Sequence, residues 1–191
     1  MSETDDMVDA LAPVITAFQT LGVGHYVGGS VASSFHGAAR STMDVDVVCN
    51  LKEEHVSPFV ESFDSNFYIA IATVLDAVRR KSCFNLIHLP TSFKIDIFIS
   101  RQRPVDVEAM RRAQMQVLGD DPSLNVAIAS VEDSIVSKLE WYRLADETSD
   151  RQWDDVTRLV QLHGDALDVD YLENASQSVG VADLLTRLLA P

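Results

Sequence analysis

The sequence is poor in positive charge, in cysteine and in long apolar segments. Lys and Arg account for 15 of the 191 residues and Asp and Glu for 29, so the formal net charge is −14 at pH 7. Proteins bind nucleic acid non-specifically by neutralising phosphates with cations, so this balance argues against strong non-specific nucleic-acid binding. No apolar run is long enough to cross a bilayer, and we therefore expect no membrane partner.

Other absences concern cysteine, leader segments and histidine. The sequence has two cysteines, and Cys49 follows an apolar segment, which favours a small buried residue over a disulfide partner. The opening MSETDDMVDA lacks the basic and apolar regions of a signal peptide. We therefore expect a reduced, cytoplasmic protein. The five histidines show no metal-ligand spacing.

The apolar periodicity predicts a mixed α/β fold. We expect a core over residues 1–123 and a C-terminal helical segment over residues 124–191, packed on that core. An N-terminal helix is expected with Pro13 near its first turn, and another over residues 106–117. The predicted strands are Val23–Val27, Met43–Cys49, Phe67–Ala70, Cys83–Leu89, Phe93–Ile99 and Leu124–Ala129.

The most informative stretch runs from Val23 to Asn50. An apolar strand leads into a turn, Gly28-Gly29-Ser30, which opens a short helix. A Gly-rich turn at a helix start presents backbone N–H groups to phosphate. Ser30 is equally compatible with a simple helix N-cap.

A pair of acidic residues follows this helix. In Met43-Asp44-Val45-Asp46-Val47-Val48 the alternation places Asp44 and Asp46 on one face of a strand, roughly 6 to 7 Å apart. Mg²⁺ removes the repulsion between such carboxylates, since it is usually held by one or two carboxylates plus substrate phosphates. The alternative is a solvent-exposed pair without a metal.

A third carboxylate lies in a later strand. In Phe93-Lys94-Ile95-Asp96-Ile97-Phe98-Ile99, one face carries Phe and Ile and the other carries Lys94, Asp96 and Phe98. Aspartate is depleted in strands, so an Asp in the middle of one indicates a specific role.

In order, Gly29-Ser30, thirteen intervening residues, Asp44-Val45-Asp46 and Asp96 resemble the signature of the nucleotidyltransferase superfamily typified by DNA polymerase beta. The resemblance implies a small mixed sheet flanked by helices and two Mg²⁺ ions, with Mn²⁺ as an alternative. It assigns Asp44, Asp46 and Asp96 to catalysis and metal binding, and Gly28, Gly29 and Ser30 to the nucleoside triphosphate. The implied reaction moves an NMP to an acceptor hydroxyl on a tRNA, a protein or a small molecule.

The C-terminal part is similar to stand-alone bacterial nucleotidyltransferases related to the AbiEii toxins of toxin–antitoxin and phage-defence systems. Lys138, early in a helix, and Asp154, in the segment from Asp150 to Asp155, are the counterparts of nucleotide-binding residues there. Arg40, between the short helix and the acidic strand, is either a loop cation or a phosphate ligand. This resemblance implies a cognate antitoxin or another partner protein.

Bland and competing readings remain open beside this one. The clusters Arg79–Lys81 and Arg101–Arg112 are more typical of solvated helix and loop faces, and Trp141 and Trp153 of core residues that join the last helices. A catalytically idle member of the superfamily, acting as a binding subunit or antitoxin, is the main alternative function. A metal-dependent phosphohydrolase or nuclease is another, although the sequence lacks the additional His and acidic ligands such sites usually show.

Overall fold

The structure, a computed structural model, describes residues 3–39, 42, 44–118 and 125–190, the first two of these as backbone only. Its strands are β1 (His25–Val27), β2 (Asp44–Cys49), β3 (Phe67–Tyr68), β4 (Cys83–His88), β5 (Phe93–Ile99), β6 (Gln114–Val117) and β7 (Asn125–Ile128). Its α-helices are α1 (Glu3–Thr20), α2 (Gly29–Phe35), α3 (Glu53–Glu61), α4 (Ile71–Arg80), α5 (Pro104–Arg112), α6 (Val131–Leu144), α7 (Asp150–His163), α8 (Val169–Ser178) and α9 (Ala182–Leu189). A mixed sheet flanked by helices results, as the sequence predicts.

The strands form one seven-stranded sheet in the order β3-β4-β5-β2-β1-β7-β6. The central strand β2 pairs in parallel with β5 and antiparallel with β1. The hairpin of β4 and β5 is antiparallel, as predicted. The order therefore places the segment after β1 and the middle of β5 on opposite sides of β2.

One face of the sheet is buried under α1, α3 and α4. Val45, Val47, Ile95 and Ile97 point into this core and have no exposed surface. They pack in one hydrophobic cluster with residues of the three helices. Burying a side chain of this kind contributes about 1.5–3 kcal/mol, so the apolar face fixes the register of β2 and β5.

The N-terminal helix differs from the sequence expectation. Helix α1 is continuous over Glu3–Thr20, and Pro13 lies inside it rather than at its start. A proline there removes one backbone hydrogen bond. Leu11 before it and Phe18 after it are both fully buried, and this shared apolar face outweighs the missing bond.

The helix predicted over residues 106–117 is wrong in its second half. Helix α5 ends at Arg112, Ala113 has φ −59° and ψ 136°, and Gln114–Val117 forms an edge strand. This strand pairs antiparallel with β7. The strand depends on a partner further along the chain, which helical periodicity within the segment does not reveal.

Two hydrophobic clusters divide the described residues. The first contains the sheet with α1, α3 and α4, and the second is formed mainly by α6 to α9. Strand β7 lies in the sheet, and Val126 and Ile128 belong to the first cluster. The predicted division at residues 123 and 124 falls within residues that the structure does not describe, and it stays a prediction.

Arg112 connects the two parts of the protein. Its guanidinium nitrogens lie 2.8 Å from a Glu132 oxygen and 3.5 Å from Asp133 Oδ2. Its carbon Cζ lies 3.9 Å from the centre of the Tyr171 ring on α8. The Glu132 and Asp133 side chains are 8% and 4% exposed, so their charges depend on this one cation.

The part of the chain that the structure describes contains no helix long and apolar enough to span a bilayer.

We expect Arg112→Met to lower the free energy of unfolding by about 3 kcal/mol, because it leaves buried carboxylates without their cation. Arg111→Met is the matched control, since Arg111 pairs with Glu108 at the surface and exposed pairs contribute about 0–1 kcal/mol. Urea unfolding of both variants tests this. Equal losses in the two variants would contradict it.

Candidate active site

The two predicted acidic strands bring their carboxylates together on the sheet face opposite the core. In the parallel pairing of β2 with β5, Asp46 lies directly beside Asp96, and Asp44 beside Lys94. All four side chains point away from the buried face because side chains alternate along a strand. The face that the sequence predicts for Asp44, Asp46 and Asp96 is therefore the face they share.

The Gly28-Gly29-Ser30 turn rests directly on Asp46. The Gly28 amide donates to the Asp46 carbonyl oxygen at 2.9 Å. Gly29 has φ +56°, and a Cβ atom there would lie 1.7 Å from Asp46 Oδ2 and 2.9 Å from Asp46 Cβ. Only glycine fits both the left-handed backbone and this close approach.

Ser30 lies inside α2 rather than at its N-cap. The N-cap residue is Gly28, which makes no side-chain capping hydrogen bond. The Ser30 side chain is largely buried and lines the cavity described below. The capping role considered from the sequence is thus not the one that Ser30 plays.

The negative charges around Asp46 are held at close range. Burial raises the pKa of the Asp46 carboxyl to about 6, with further contributions from the charges of Asp44 and Asp96. Lys138 and Lys94 oppose this rise in pKa. The Thr42 hydroxyl donates to Asp44 Oδ1 at 2.7 Å. Asp46 is therefore the carboxylate whose charge the fold tolerates least.

Asp96 is engaged by a neighbouring cation. Lys94 Nζ lies 2.6 Å from Asp96 Oδ2. The hydrogen bond to Asp96 raises the pKa of the Lys94 ammonium group. Lys94 was not singled out from the sequence, although its two-residue spacing from Asp96 already places the two side chains on one face.

The donor set suits a divalent ion bound together with a substrate. Within the described ranges, no group of three or more His, Cys, Asp or Glu side chains is arranged so that it can hold a metal ion. Mg²⁺ is commonly held by only one or two carboxylates plus substrate phosphates. Asp44 and Asp46 fit that pattern, and the raised pKa of Asp46 shows that positive charge is favoured there.

A cavity of about 610 Å³ lies between this sheet face and the helices α5, α6 and α7. The predicted residues Gly28, Gly29, Ser30, Asp44, Asp46 and Lys138 all line it. Its volume lies in the ordinary range for small-molecule sites. The site therefore joins the glycine turn, the acidic pair and a buried lysine from a distant helix.

Lys138 reaches this cavity from α6 as half of a buried ion pair. Its Nζ lies 2.7 Å from Asp155 Oδ2 on α7, and both side chains are 5% exposed. Its charge also lowers the pKa of Asp46. A buried pair of this kind holds the ammonium group in one position, and removing either partner leaves an uncompensated charge.

The structure does not bring every predicted residue into the cavity. Asp154 is exposed and is absent from the cavity wall, whereas its neighbour Asp155 contacts Lys138. Helical spacing contains the signal, because Asp155 shares a face with the buried Leu159 at i+4. Arg40 lies outside the described residues.

An aromatic pair that the sequence analysis assigned otherwise also lines the cavity. The rings of Phe98, two residues after Asp96, and Trp141 on α6 are 5.7 Å apart in an edge-to-face arrangement. Trp141, expected to be a core residue, is 46% exposed. Its distance of two residues from the buried Leu139 on α6 is the sequence signal for this.

A scan against protein-family models finds no match for the chain, and a search of curated proteins finds no significant match. Solved structures do match. The antibiotic-resistance factor ANT(2'')-Ia is 14% identical with a TM-score of 0.57, over 98% of this chain and 97% of that chain. An antigenic nucleotidyltransferase-like protein from Paracoccidioides brasiliensis is 16% identical with a TM-score of 0.56, over 92% and 86% of the two chains.

These similarities extend over almost the whole chain. At such low identity they show the fold alone, and the chain has a nucleotidyltransferase-like fold. The predicted fold class is thereby confirmed. The predicted AbiEii-like subtype is not reached by these matches.

We expect Gly29→Ala to destabilise the protein by at least about 2 kcal/mol, since it combines an unfavourable positive φ with overpacking against Asp46. Gly28→Ala is the control, because the nearest atom to a Cβ there is 3.8 Å away. Thermal and urea unfolding compare the two variants. If Gly29→Ala unfolds like Gly28→Ala, the close packing on Asp46 is wrong.

A second expectation concerns pH. Because the pKa of Asp46 is raised to about 6 in the folded protein, its ionisation opposes folding at pH values above its ordinary pKa, and fully so above about pH 6. Asp46→Asn should therefore stabilise the metal-free protein at pH 8, by up to about 3 kcal/mol.

The gain should shrink as the pH falls from 6 to 4, where Asp46 becomes neutral in both states. Melting curves in EDTA across this range measure it. A gain that stays constant with pH would contradict the assigned charge state.

Proposed function

We propose that this protein is a metal-dependent nucleotidyltransferase that moves an NMP from an NTP to an acceptor hydroxyl. The observation that carries the proposal is the position of Asp46. It lies between the Gly28–Ser30 turn on one side and Asp96 on the other. A phosphate-binding turn and a set of carboxylates are thus adjacent in one cavity.

In this proposal the backbone of Gly28 and Gly29 and the Ser30 side chain receive the triphosphate. Asp44 and Asp46 hold the divalent ions, two Mg²⁺ or Mn²⁺, which when bound offset charge on the phosphates. Lys138, fixed by Asp155, adds a positive charge toward the triphosphate.

The reaction balances with the residues present. The acceptor oxygen forms a bond to the α-phosphorus while the bond to the bridging oxygen breaks and pyrophosphate leaves. Asp96 takes the proton of the acceptor hydroxyl. Since Asp96 is bound to Lys94, that ion pair must open or shift before Asp96 accepts the proton.

The same ion pair favours a second candidate. A Lys94–Asp96 contact of 2.6 Å suits a catalytically idle member of the fold that acts as a binding subunit, for example the antitoxin of a toxin–antitoxin pair. The two candidates differ in what they do with NTP. Only the transferase releases pyrophosphate.

Incubation with each α-³²P-labelled NTP and Mg²⁺, with total tRNA, lysate protein and an aminoglycoside panel as acceptors, should label one acceptor class. The Asp44→Asn/Asp46→Asn double variant should lose at least about 100-fold in rate, since it removes the carboxylates that hold the metal. Gel, filter and thin-layer analysis of transferred label measures this.

Glu61→Gln, on exposed helix α3 against the opposite face of the sheet, is the control and should keep full activity. Mg²⁺ with NTP should also raise the melting temperature of the wild type and not that of the double variant. Stabilisation by Mg²⁺ and NTP without any transfer would favour the idle subunit. Neither stabilisation nor transfer would overturn the metal and nucleotide site itself.

A further inference from the structure

Helix α6 crosses the sheet face from β1 toward β5. Near its start, the charge of Asp133 acts on Tyr26 of β1. Further along, the charge of Lys138 acts on Asp46 of β2. One turn later, Trp141 packs against Phe98 of β5. The cavity below α6 therefore has a β1 end and a β5 end, with the acidic pair between them.

The two ends have different roles if the proposed function is correct, and the inference rests on it. The Gly28–Ser30 turn, which receives the triphosphate, lies at the β1 end. In-line displacement requires the attacking oxygen to arrive opposite the leaving pyrophosphate. The acceptor must then enter from the β5 end, where Asp96 stands.

The β5 end offers an aromatic surface. Phe98 follows Asp96 on the same face of β5, and Trp141 stands against it. The Trp141 side chain is the one large aromatic group of the cavity wall with substantial exposure, at 46%. A planar ring can stack on an indole so placed, and base–aromatic stacking tolerates any base.

The same end also offers two cations. Arg79, Arg80, Arg103, Arg111 and Arg112 are all held in ion pairs of 2.8 Å or less. Lys81 and Arg101 both line the cavity. Among the described residues Lys81 forms no ion pair, and Arg101 is 55% exposed and 3.8 Å from Glu140. Glu140 in turn is engaged closely by Arg103.

We propose that Trp141, Phe98, Lys81 and Arg101 form the acceptor subsite, and that the acceptor is the terminal nucleotide of a single-stranded nucleic acid. The base stacks on Trp141, and backbone phosphates meet Arg101 and Lys81. A polycationic sugar antibiotic is disfavoured by the same two cations. Recognition is confined to the end of the strand, which agrees with a net charge of −14.

Tryptophan fluorescence tests this directly, because the chain has only two tryptophans. Trp153 lies elsewhere, between Tyr142 and Arg187, so Trp153→Phe leaves Trp141 as the single reporter. Three probes are titrated into this variant: tripolyphosphate with Mg²⁺, hexacytidylate, and kanamycin. Hexacytidylate should quench Trp141 with saturation, and kanamycin should not.

The variants separate the subsite from the phosphate site. With calorimetry as readout, Trp141→Leu should weaken hexacytidylate binding about tenfold, whereas Trp141→Phe should keep most of the affinity. Both should bind tripolyphosphate with Mg²⁺ as the wild type does. Lys81→Gln/Arg101→Gln should lower the slope of log affinity against log salt for hexacytidylate by about 1.4.

The outcomes distinguish two failures. If tripolyphosphate binds but hexacytidylate binds equally well to the wild type and Trp141→Leu, the acceptor subsite is wrong and the proposed function stands. Tighter binding of kanamycin than of hexacytidylate would overturn the acceptor class. If tripolyphosphate with Mg²⁺ does not bind the wild type, the proposed function itself fails.

Discussion

The close approach of Gly29 to Asp46 sets the geometry on which the rest of the site depends. A backbone with φ +56° lies where any Cβ would overlap the Asp46 carboxyl group. This fixes the start of α2 against β2. The sheet order β5-β2-β1 then places Asp96 on the other side of the same carboxylate. The separation of the two ends of the cavity follows from this one contact.

The same contact makes the site unfavourable for folding. Burial and the neighbouring charges of Asp44 and Asp96 raise the pKa of Asp46, so its ionisation costs free energy near neutral pH. The opposite face of the sheet offsets this cost, because Val45 and Val47 alternate with the two aspartates and are completely buried. One strand thus carries both the stabilising core and the destabilising site.

Charged pairs between helices hold the rest of the cavity in place. The Lys138–Asp155 pair joins α6 to α7, and Arg112 joins α5 to α6 and α8. Buried pairs of this kind contribute little net stability but are costly to break. Their effect here is positional, since they set where α6 lies above the acidic strands.

The sequence was sufficient for features that depend on local periodicity. Alternation in β2 and β5 predicted both the buried faces and the shared face of the three carboxylates, because that periodicity is a property of a single strand. It was insufficient where a distant partner decides. Strand β6 needs β7, the continuity of α1 past Pro13 needs the sheet, and the Lys94–Asp96 contact needs a side-chain conformation. Choosing Asp154 over Asp155 was different, since helical spacing already favoured the buried position.

The distribution of charge shows why a whole-chain average can mislead about a site. The excess of acidic residues correctly disfavours a long nucleic-acid footprint. It does not describe the β5 end of the cavity, because five of the clustered arginines are held by acidic partners and two cations beside Trp141 are not held so closely. An acidic surface around a small cationic and aromatic patch repels extended polyanions and leaves room for one terminal nucleotide. The charge balance and the aromatic pair therefore impose the same restriction, on how much of an acceptor the protein can bind.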